Sequence, residues 1–274
     1  MSKKVEIISV GNELLIGKTL NTNAQWMSRR ITSIGLSVTR IIVVGDTVLE
    51  ISAVLREALS RSPDFIITTG GLGPTFDDKT LEGIAHALNS QLKVDEKALT
   101  MVKKKYISYA EEQGRKEYEL TAARVKMATI PTGTEPIPNP VGTAPGVLTK
   151  HKNVTIYALP GVPSEMKAIF ENSILKVLKV SAGDFMFFET SLFVSRIVES
   201  EIAPLIDQVM HNNPHIYIKS HPMGTERKPT IELHLTTTAE NKETAKKRME
   251  IALSELTSII QEKGAIINTV KREK

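Results

Sequence analysis

The residues best suited to chemistry lie in one segment, Thr68-Thr69-Gly70-Gly71-Leu72-Gly73-Pro74-Thr75-Phe76-Asp77-Asp78. Three glycines in four residues permit positive φ and let the backbone approach a ligand closely. Backbone amides at the start of a helix favour phosphate. Two carboxylates, Asp77 and Asp78, follow at once. Alone they would repel a phosphate. With a divalent cation between them they become ligands, because Mg²⁺ commonly takes one or two carboxylates together with phosphate oxygens. Two further loops carry acids. Glu13 lies in Gly11-Asn12-Glu13-Leu14-Leu15-Ile16-Gly17, and Asp46 in Gly45-Asp46-Thr47. Both could join the same ion or position a water. Residue types alone also allow a plainer account, in which Asp78 caps the helix beginning at Lys79 and the glycines only form a tight turn.

Two glycine–proline loops could complete the site: Gly142-Thr143-Ala144-Pro145-Gly146, and Leu159-Pro160-Gly161-Val162-Pro163-Ser164-Glu165. The second opens a helix and suits a further phosphate or a ribose, with Ser164 as a simple helix cap being the alternative. The glycine-rich segment lacks the Gly-Lys-Ser/Thr ending of a Walker loop and is not Gly-x-Gly-x-x-Gly, which argues against an ordinary ATPase or dehydrogenase. There is no Gly-x-Ser-x-Gly elbow. The chain has no cysteine, so thiolate zinc sites, iron–sulfur clusters, disulfides and cysteine nucleophiles are excluded. His211 and His215 are separated by Asn212-Asn213-Pro214, which breaks the helix that would align them.

These loops need a scaffold, and the periodicity supplies one. Val5–Val10, Val38–Val44 and Phe65–Thr69 read as strands, and Val38–Val44 reads as a buried parallel one. Asn23–Ile34, Val48–Leu59 and Asp78–Leu88 read as helices. The βαβαβα order predicts an open parallel sheet, with ligands bound beyond the carboxyl ends of its strands. Further helices are expected at Asp95–Gln113 and Tyr118–Met127, then a loop over Pro131–Gly146. Strands at Val147–Thr149 and Val154–Leu159 and a helix from Ser164 follow. Beyond residue 178 the pattern changes. Strands at Phe187–Val194, His215–Lys219, Thr230–Thr237 and Ile266–Val270, with helices at Glu199–Met210 and Ala239–Gln261, predict a small α+β unit of split βαβ type. The expected division is 1–177 and 178–274.

The whole chain is 274 residues, 41% hydrophobic and 24% charged, with a net charge of +4. That composition excludes disorder and fibrous classes. The small net charge, and aromatics at only 5%, argue against a nucleic-acid partner. The basic clusters at Lys103–Lys105, Lys246–Arg248 and Lys271–Lys274 read as solvated surface. No apolar run approaches the ~20 residues of a membrane span. Met1-Ser2-Lys3-Lys4 leads directly into a strand-like segment rather than a secretion signal, so the expectation is a cytoplasmic protein with no membrane partner.

In combination the motifs resemble the N-terminal region of the CinA (competence/damage-inducible) proteins, of the molybdopterin-binding-like superfamily. The carriers are Gly11-Asn12-Glu13-Leu14-Leu15 with Gly17, Thr68 to Asp78 followed by Thr80, Gly142 to Gly146, and Leu159 to Met166. The resemblance runs in order over residues 5–175. Residues 178–262 resemble the small KH-like domain of the same proteins through Arg196-Ile197-Val198-Glu199-Ser200, without the Gly-x-x-Gly loop with which KH domains hold nucleic acid. The resemblance implies a Rossmann-like three-layer α/β fold plus a small α+β domain. It also implies a divalent-metal-dependent pyrophosphohydrolase that releases AMP from ADP-ribose or a related dinucleotide. The alternative is pterin (molybdopterin) binding or adenylyl transfer without hydrolase activity. On this reading Glu13, Asp46 and Asp78 are catalytic. Asp77 and Asp78 hold the metal, which is Mg²⁺, Mn²⁺ or Co²⁺. Gly11, Asn12, Thr69, Gly70, Gly71, Gly73, Thr75, Gly142, Thr143, Gly161 and Ser164 bind the nucleotide. The family analogy adds a homodimer. Longer CinA proteins carry a C-terminal deamidase for nicotinamide mononucleotide, which is expected to be absent from a sequence ending at Lys274.

Overall fold

The computed structural model describes residues 2–114, 119–223 and 230–272. Of the residues named from the sequence, Met1, Tyr118, Glu273 and Lys274 lie outside them. The chain divides into two compact units: Met1–Thr32 with Leu36–Ser181, and Ser33–Gly35 with Ala182–Lys274.

In chain order the first unit comprises β1 (Lys4–Val10), α1 (Asn12–Leu15), α2 (Thr22–Thr32), β2 (Ser37–Val44), α3 (Val48–Ser60), β3 (Phe65–Thr69) and α4 (Thr80–Ala87). After these come β4 (Leu92–Val94), α5 (Glu96–Glu112), α6 (Ala122–Lys126), β5 (Thr129–Pro131) and β6 (Glu135–Ile137). The unit ends with β7 (Gly146–His151), β8 (Val154–Leu159), α7 (Pro163–Ile169), a π turn at Phe170–Ile174, and α8 (Leu175–Ala182). The main sheet has the order β2-β1-β3-β8-β7-β6. Its first four strands are parallel, and β7 and β6 are added antiparallel. β1 and β3 are central, and Phe65 to Thr69 are all buried. Helices cover the sheet through spaced apolar residues, such as Ile51, Leu55 and Ala58 of α3. Thr47 caps α3 by accepting from the Glu50 N–H, and Asp95 caps α5 through Ala98.

Three expectations change. β2 is not a buried strand: it forms one edge of the sheet, and Ile41 is 50% exposed. Its β-branched run predicts extended backbone, but only the strand order says how many neighbours it has. The segment 131–146 is not all loop. β6 pairs with β7, and β5 pairs with β4 in a separate two-stranded sheet. These strands are three residues long and contain Pro131 or Pro136, so they give no periodic signal, and proline is tolerated at such edges. The helix expected from Tyr118 is confined to Ala122–Lys126, with Thr121 as its cap.

The second unit runs β9 (Met186–Ser195), α9 (Glu199–Asn212), β10 (Ile216–Pro222), β11 (Thr230–Ala239), α10 (Lys242–Glu262), β12 (Ile266–Arg272). All its strand pairs are antiparallel, in the order β10-β11-β9-β12. That is the split βαβ connectivity. Strand burial alternates, as in β11 where Ile231, Leu233 and Leu235 face inward. Ile202, Ile206 and Val209 of α9 and Met249, Leu256 and Ile260 of α10 pack on that face.

Candidate functional site

The sheet reverses its winding direction between β1 and β3, and the loops leaving β1, β3 and β8 meet there. Backbone bonds hold their starts together. Gly11 N–H donates to the Val44 carbonyl at 3.0 Å, and Gly70 N–H donates to Leu159 at 3.0 Å. Gly70 has φ +106°, and a Cβ there would overlap the Val10 carbonyl oxygen. Gly71 has φ +67°, and a Cβ there would strike the Thr80 hydroxyl. Thr80, fully buried, donates that hydroxyl to the Gly70 carbonyl at 2.7 Å, and its N–H donates to Gly71 O at 3.2 Å. The glycine loop is thereby fastened to the first turn of α4. The N–H groups of Gly71, Leu72 and Gly73 donate to no protein acceptor among the described residues.

The loops enclose a cavity of about 370 Å³. Gly11, Gly70, Gly71, Gly73, Thr75, Thr143 and Gly161 line it, as do Glu13, Asp46, Asp77 and Asp78. A fifth carboxylate, Glu165, also lines it, and no lysine or arginine is among the described lining residues. Thr75 is the pivot of the acidic wall. Its N–H donates to Asp78 Oδ2 at 2.8 Å, and its hydroxyl lies 2.5 Å from the same oxygen and also against Asp77 Oδ1. A hydroxyl has one proton, so it serves one carboxylate at a time while both negative oxygens crowd it. Asp77 is held below the usual carboxylate range by the Thr75 hydroxyl, by its own N–H, and by the Lys126 ammonium. Lys126 reaches this wall from α6, donating to the Thr75 carbonyl. Asp46 accepts from the Asn12 N–H at 2.9 Å, which joins the first two loops.

Among the described residues no three His, Asp or Glu side chains converge to hold a metal on their own. The crowded pair Asp77–Asp78, beside unpaired amides, instead fits a hard cation that draws most of its ligands from water and substrate oxygens.

Four of the residues expected at the site do other work. Asn12 contributes through its backbone N–H rather than as a lining side chain. Thr69 is buried, donating to Pro160 O at 2.9 Å and accepting from Asn23 Nδ2 at 3.1 Å. Gly142 faces the Glu165 carboxylate, which fills the space a side chain would need. Ser164 is exposed in the first turn of α7, where Val162 is the cap position and no side chain caps. Nor is Asp78 a cap: α4 starts from Lys79 without one, because the Asp78 carboxylate is turned to Thr75.

Sequence reasoning missed Glu165, Lys126, Asn139 and Asn23. Asn139, 7% exposed, accepts from the Val141 and Gly142 N–H groups at 3.1 and 2.8 Å. Its amide donates to Ala144 O at 2.8 Å and to Glu165 Oε2 at 2.7 Å. One side chain thus shapes the Gly142–Ala144 turn and aims Glu165. Asn23 Nδ2 bridges Thr69 and the Gly161 carbonyl, joining the ends of β3 and β8. Glu165 was within reach of the sequence, since it closes the Leu159–Glu165 motif. The other three come from distant segments with no local signal.

Residues 6–180 match the family described as probable molybdopterin binding domain. A protein of Sulfurisphaera tokodaii is 44% identical over 263 residues, covering 96% of this chain and 97% of its own. One of Pyrobaculum calidifontis is 43% identical over 258 residues, covering 94% and 95%. A solved structure described as the protein CinA with unknown function, from Thermoplasma acidophilum, is 44% identical. It covers 64% of this chain and 99% of that one, with a TM-score of 0.58.

Proposed function

The chain belongs to the probable molybdopterin-binding domain family and is CinA-like in its N-terminal region, and from that premise we propose that it hydrolyses a diphosphate linkage in a nucleotide such as ADP-ribose. The fold supports a nucleotide- or pterin-related binding role. The observation that carries the finer reading is the two-sided cavity. Gly71, Leu72 and Gly73, whose N–H groups have no described protein acceptor, line it together with five carboxylate residues, a combination that supports a phosphate held beside a cation. An anion enters such a space only with cations to screen the acids.

In this mechanism the glycine-loop amides bind one phosphate and orient the P–O–P bridge. Asp77 and Asp78 would hold the divalent ion, which when bound polarises a phosphoryl oxygen and lowers the pKa of a water. Glu13 orients the attacking water and accepts its proton. Asp46 fixes the first loop through the Asn12 N–H. Water oxygen bonds to one phosphorus and the bridging P–O bond breaks. From ADP-ribose the products are AMP and ribose 5-phosphate. Lys126, beside Thr75 and Asp77, offsets negative charge on that wall.

The test is product analysis by mass spectrometry. Metal-stripped protein is incubated with ADP-ribose, FAD, NADH or ADP-glucose, with Mg²⁺, Mn²⁺, Co²⁺ or none. The expected result is AMP only with metal, and a loss of about 10²-fold or more in Asp78→Asn, the scale of removing one electrostatic group from such a site. Full metal-dependent turnover by Asp78→Asn refutes the assignment. No turnover of any substrate removes the hydrolase reading and leaves the binding role.

A further inference from the structure

β3 and β8 deliver Gly70 and Pro160 to the first cavity at their carboxyl ends. At the amino ends of the same two strands lies another cavity, of about 560 Å³, lined by Asp64 just before β3 and Val154 at the start of β8. Three turns frame it: the one between α3 and β3, the one after α4, and the β7–β8 hairpin turn. Leu59, Pro63, Ala87, Leu88 and Val154 are its apolar lining. Arg56, His151 and Lys152 are its basic residues, and Asp64 is the one acid among the described lining residues. That acid is already engaged, accepting from Lys3 Nζ and the Lys4 N–H at 2.8 Å each. The basic groups are not. Arg56 Nη2 donates to the His86 carbonyl at 2.8 Å, which holds the guanidinium in place. Its Nε and Nη1, the Lys152 ammonium, and the side chains of His151, Asn89 and Asn153 have no acceptor among the described residues. The backbone adds a second observation. Ser62, Asn89 and Lys152 all have φ +51°, and they are three of the four non-glycine residues with positive φ among the described ones. All three line this cavity. Glycine would end a helix or turn a hairpin there with less strain. Side chains kept at strained positions around one cavity are a mark of a functional site.

We propose that this cavity is a second ligand site, which takes a small organic anion. Its carboxylate or phosphate is met by Arg56 and Lys152, and its apolar body lies along Leu59, Pro63, Leu88 and Val154. The volume is that of a small-molecule pocket, and an apolar lining with a few placed polar groups is the usual make-up of one. A guanidinium fixed through one nitrogen, with two others free, suits the flat edge of an oxyanion. With Asp64 neutralised by Lys3, the field in the cavity is positive, and a cation of the same shape is repelled. The two cavities share no lining residue, so the inference is independent of the function proposed above.

Binding is followed by amide NMR titration of the whole protein in metal-free buffer, where the acidic first cavity repels anions. The probes are phenyl phosphate, benzoate, inorganic phosphate and benzylamine, each raised to about 20 mM to reach weak affinities. The amides of Ser62, Asn89 and Asn153 should shift with phenyl phosphate or benzoate, and the tighter of the two identifies the anionic group. That anion should bind at least about tenfold more tightly than benzylamine, and at least about threefold more tightly than inorganic phosphate. Two variants test the charges. Lys152→Gly removes an ammonium and relaxes the turn, so its melting temperature should not fall. Arg56→Gln changes an exposed position of α3. Each should weaken the tighter anion at least about fivefold. The proposal is overturned if none of the three amides shifts, if benzylamine or inorganic phosphate binds as tightly as both aromatic anions, or if both variants bind as the wild type does. It is also overturned if the same amides shift with protein concentration alone, since a second copy of the chain would then cover the face.

Discussion

Arg61→Met should destabilise the first unit sharply. Glu6 lies in the central strand β1, which delivers Gly11 and Glu13 to the site, and it is 2% exposed. Arg61 meets it with two parallel bonds, Nε to Oε1 at 2.8 Å and Nη2 to Oε2 at 2.7 Å. The Glu6 contact is the main reason the guanidinium is held protonated above its ordinary range. Removing one partner of a buried pair costs about 3–5 kcal/mol, because the other charge stays buried and uncompensated. Arg40 Nε lies 3.7 Å from Glu6 Oε1 and is 54% exposed, so it offsets part of the loss. The expected cost is therefore near the lower end, about 3 kcal/mol. At about 2–4 °C per kcal/mol for a domain of this size, the melting temperature should fall by roughly 6–12 °C. Two controls separate burial from charge counting. Glu57→Gln removes a second Arg61 partner that is 70% exposed and should cost less than about 0.5 kcal/mol. The double variant Glu6→Met with Arg61→Met should recover most of the loss, since apolar residues of similar volume often replace a buried pair without cost. Urea denaturation with calorimetry measures all of these. A cost below about 1 kcal/mol for Arg61→Met, or a double variant no more stable than the single, refutes the reasoning.

Gly70→Ala should cost roughly 2–6 kcal/mol, combining a backbone conformation that side chains rarely adopt with overlap against a carbonyl that cannot rotate away. Gly133→Ala shares a positive φ, +84°, but meets nothing within 4 Å, so it should cost only the conformational part; equal losses in urea denaturation would contradict the packing account. Asp64 titrates low: burial raises its carboxyl, but the Lys3 ammonium and the Lys4 N–H, both at 2.8 Å, outweigh that. A depressed folded pKa means stability present at neutral pH and lost as pH falls through the folded value. With half-exposed Lys3 as partner the amount is at most about 1 kcal/mol. Asp64→Asn should flatten the acid limb of a stability–pH curve by that amount, and an unchanged limb would show that the pair contributes nothing.

Much of the scaffold was legible because it is written locally. Phe65–Thr69 and Val154–Leu159 coincide with their strands, and α3 starts where Thr47 signals a cap. The backbone of the glycine loop was legible for a similar reason: three glycines in four residues permit positive φ, and Gly70 and Gly71 take it. Ser164 and Asp78 show where local chemistry misleads. Each suits a helix cap by type, yet α7 begins at Pro163 with Val162 in the cap position, and Thr75 claims the Asp78 carboxylate.

The sequence by itself determined the longer strands and helices and the loops that carry acids and glycines, because hydrophobic period and turn chemistry act over a few residues; the three-residue strands β4, β5 and β6 are too short to show a period. Strand order decided the rest. It made β2 an edge and set the ends of β1, β3 and β8 side by side. It also brought Asn139, 26 residues away in sequence, to Glu165, and Lys126, 51 residues away, to Thr75. Such contacts depend on which surfaces bury each other across the whole domain, and no local pattern records that choice.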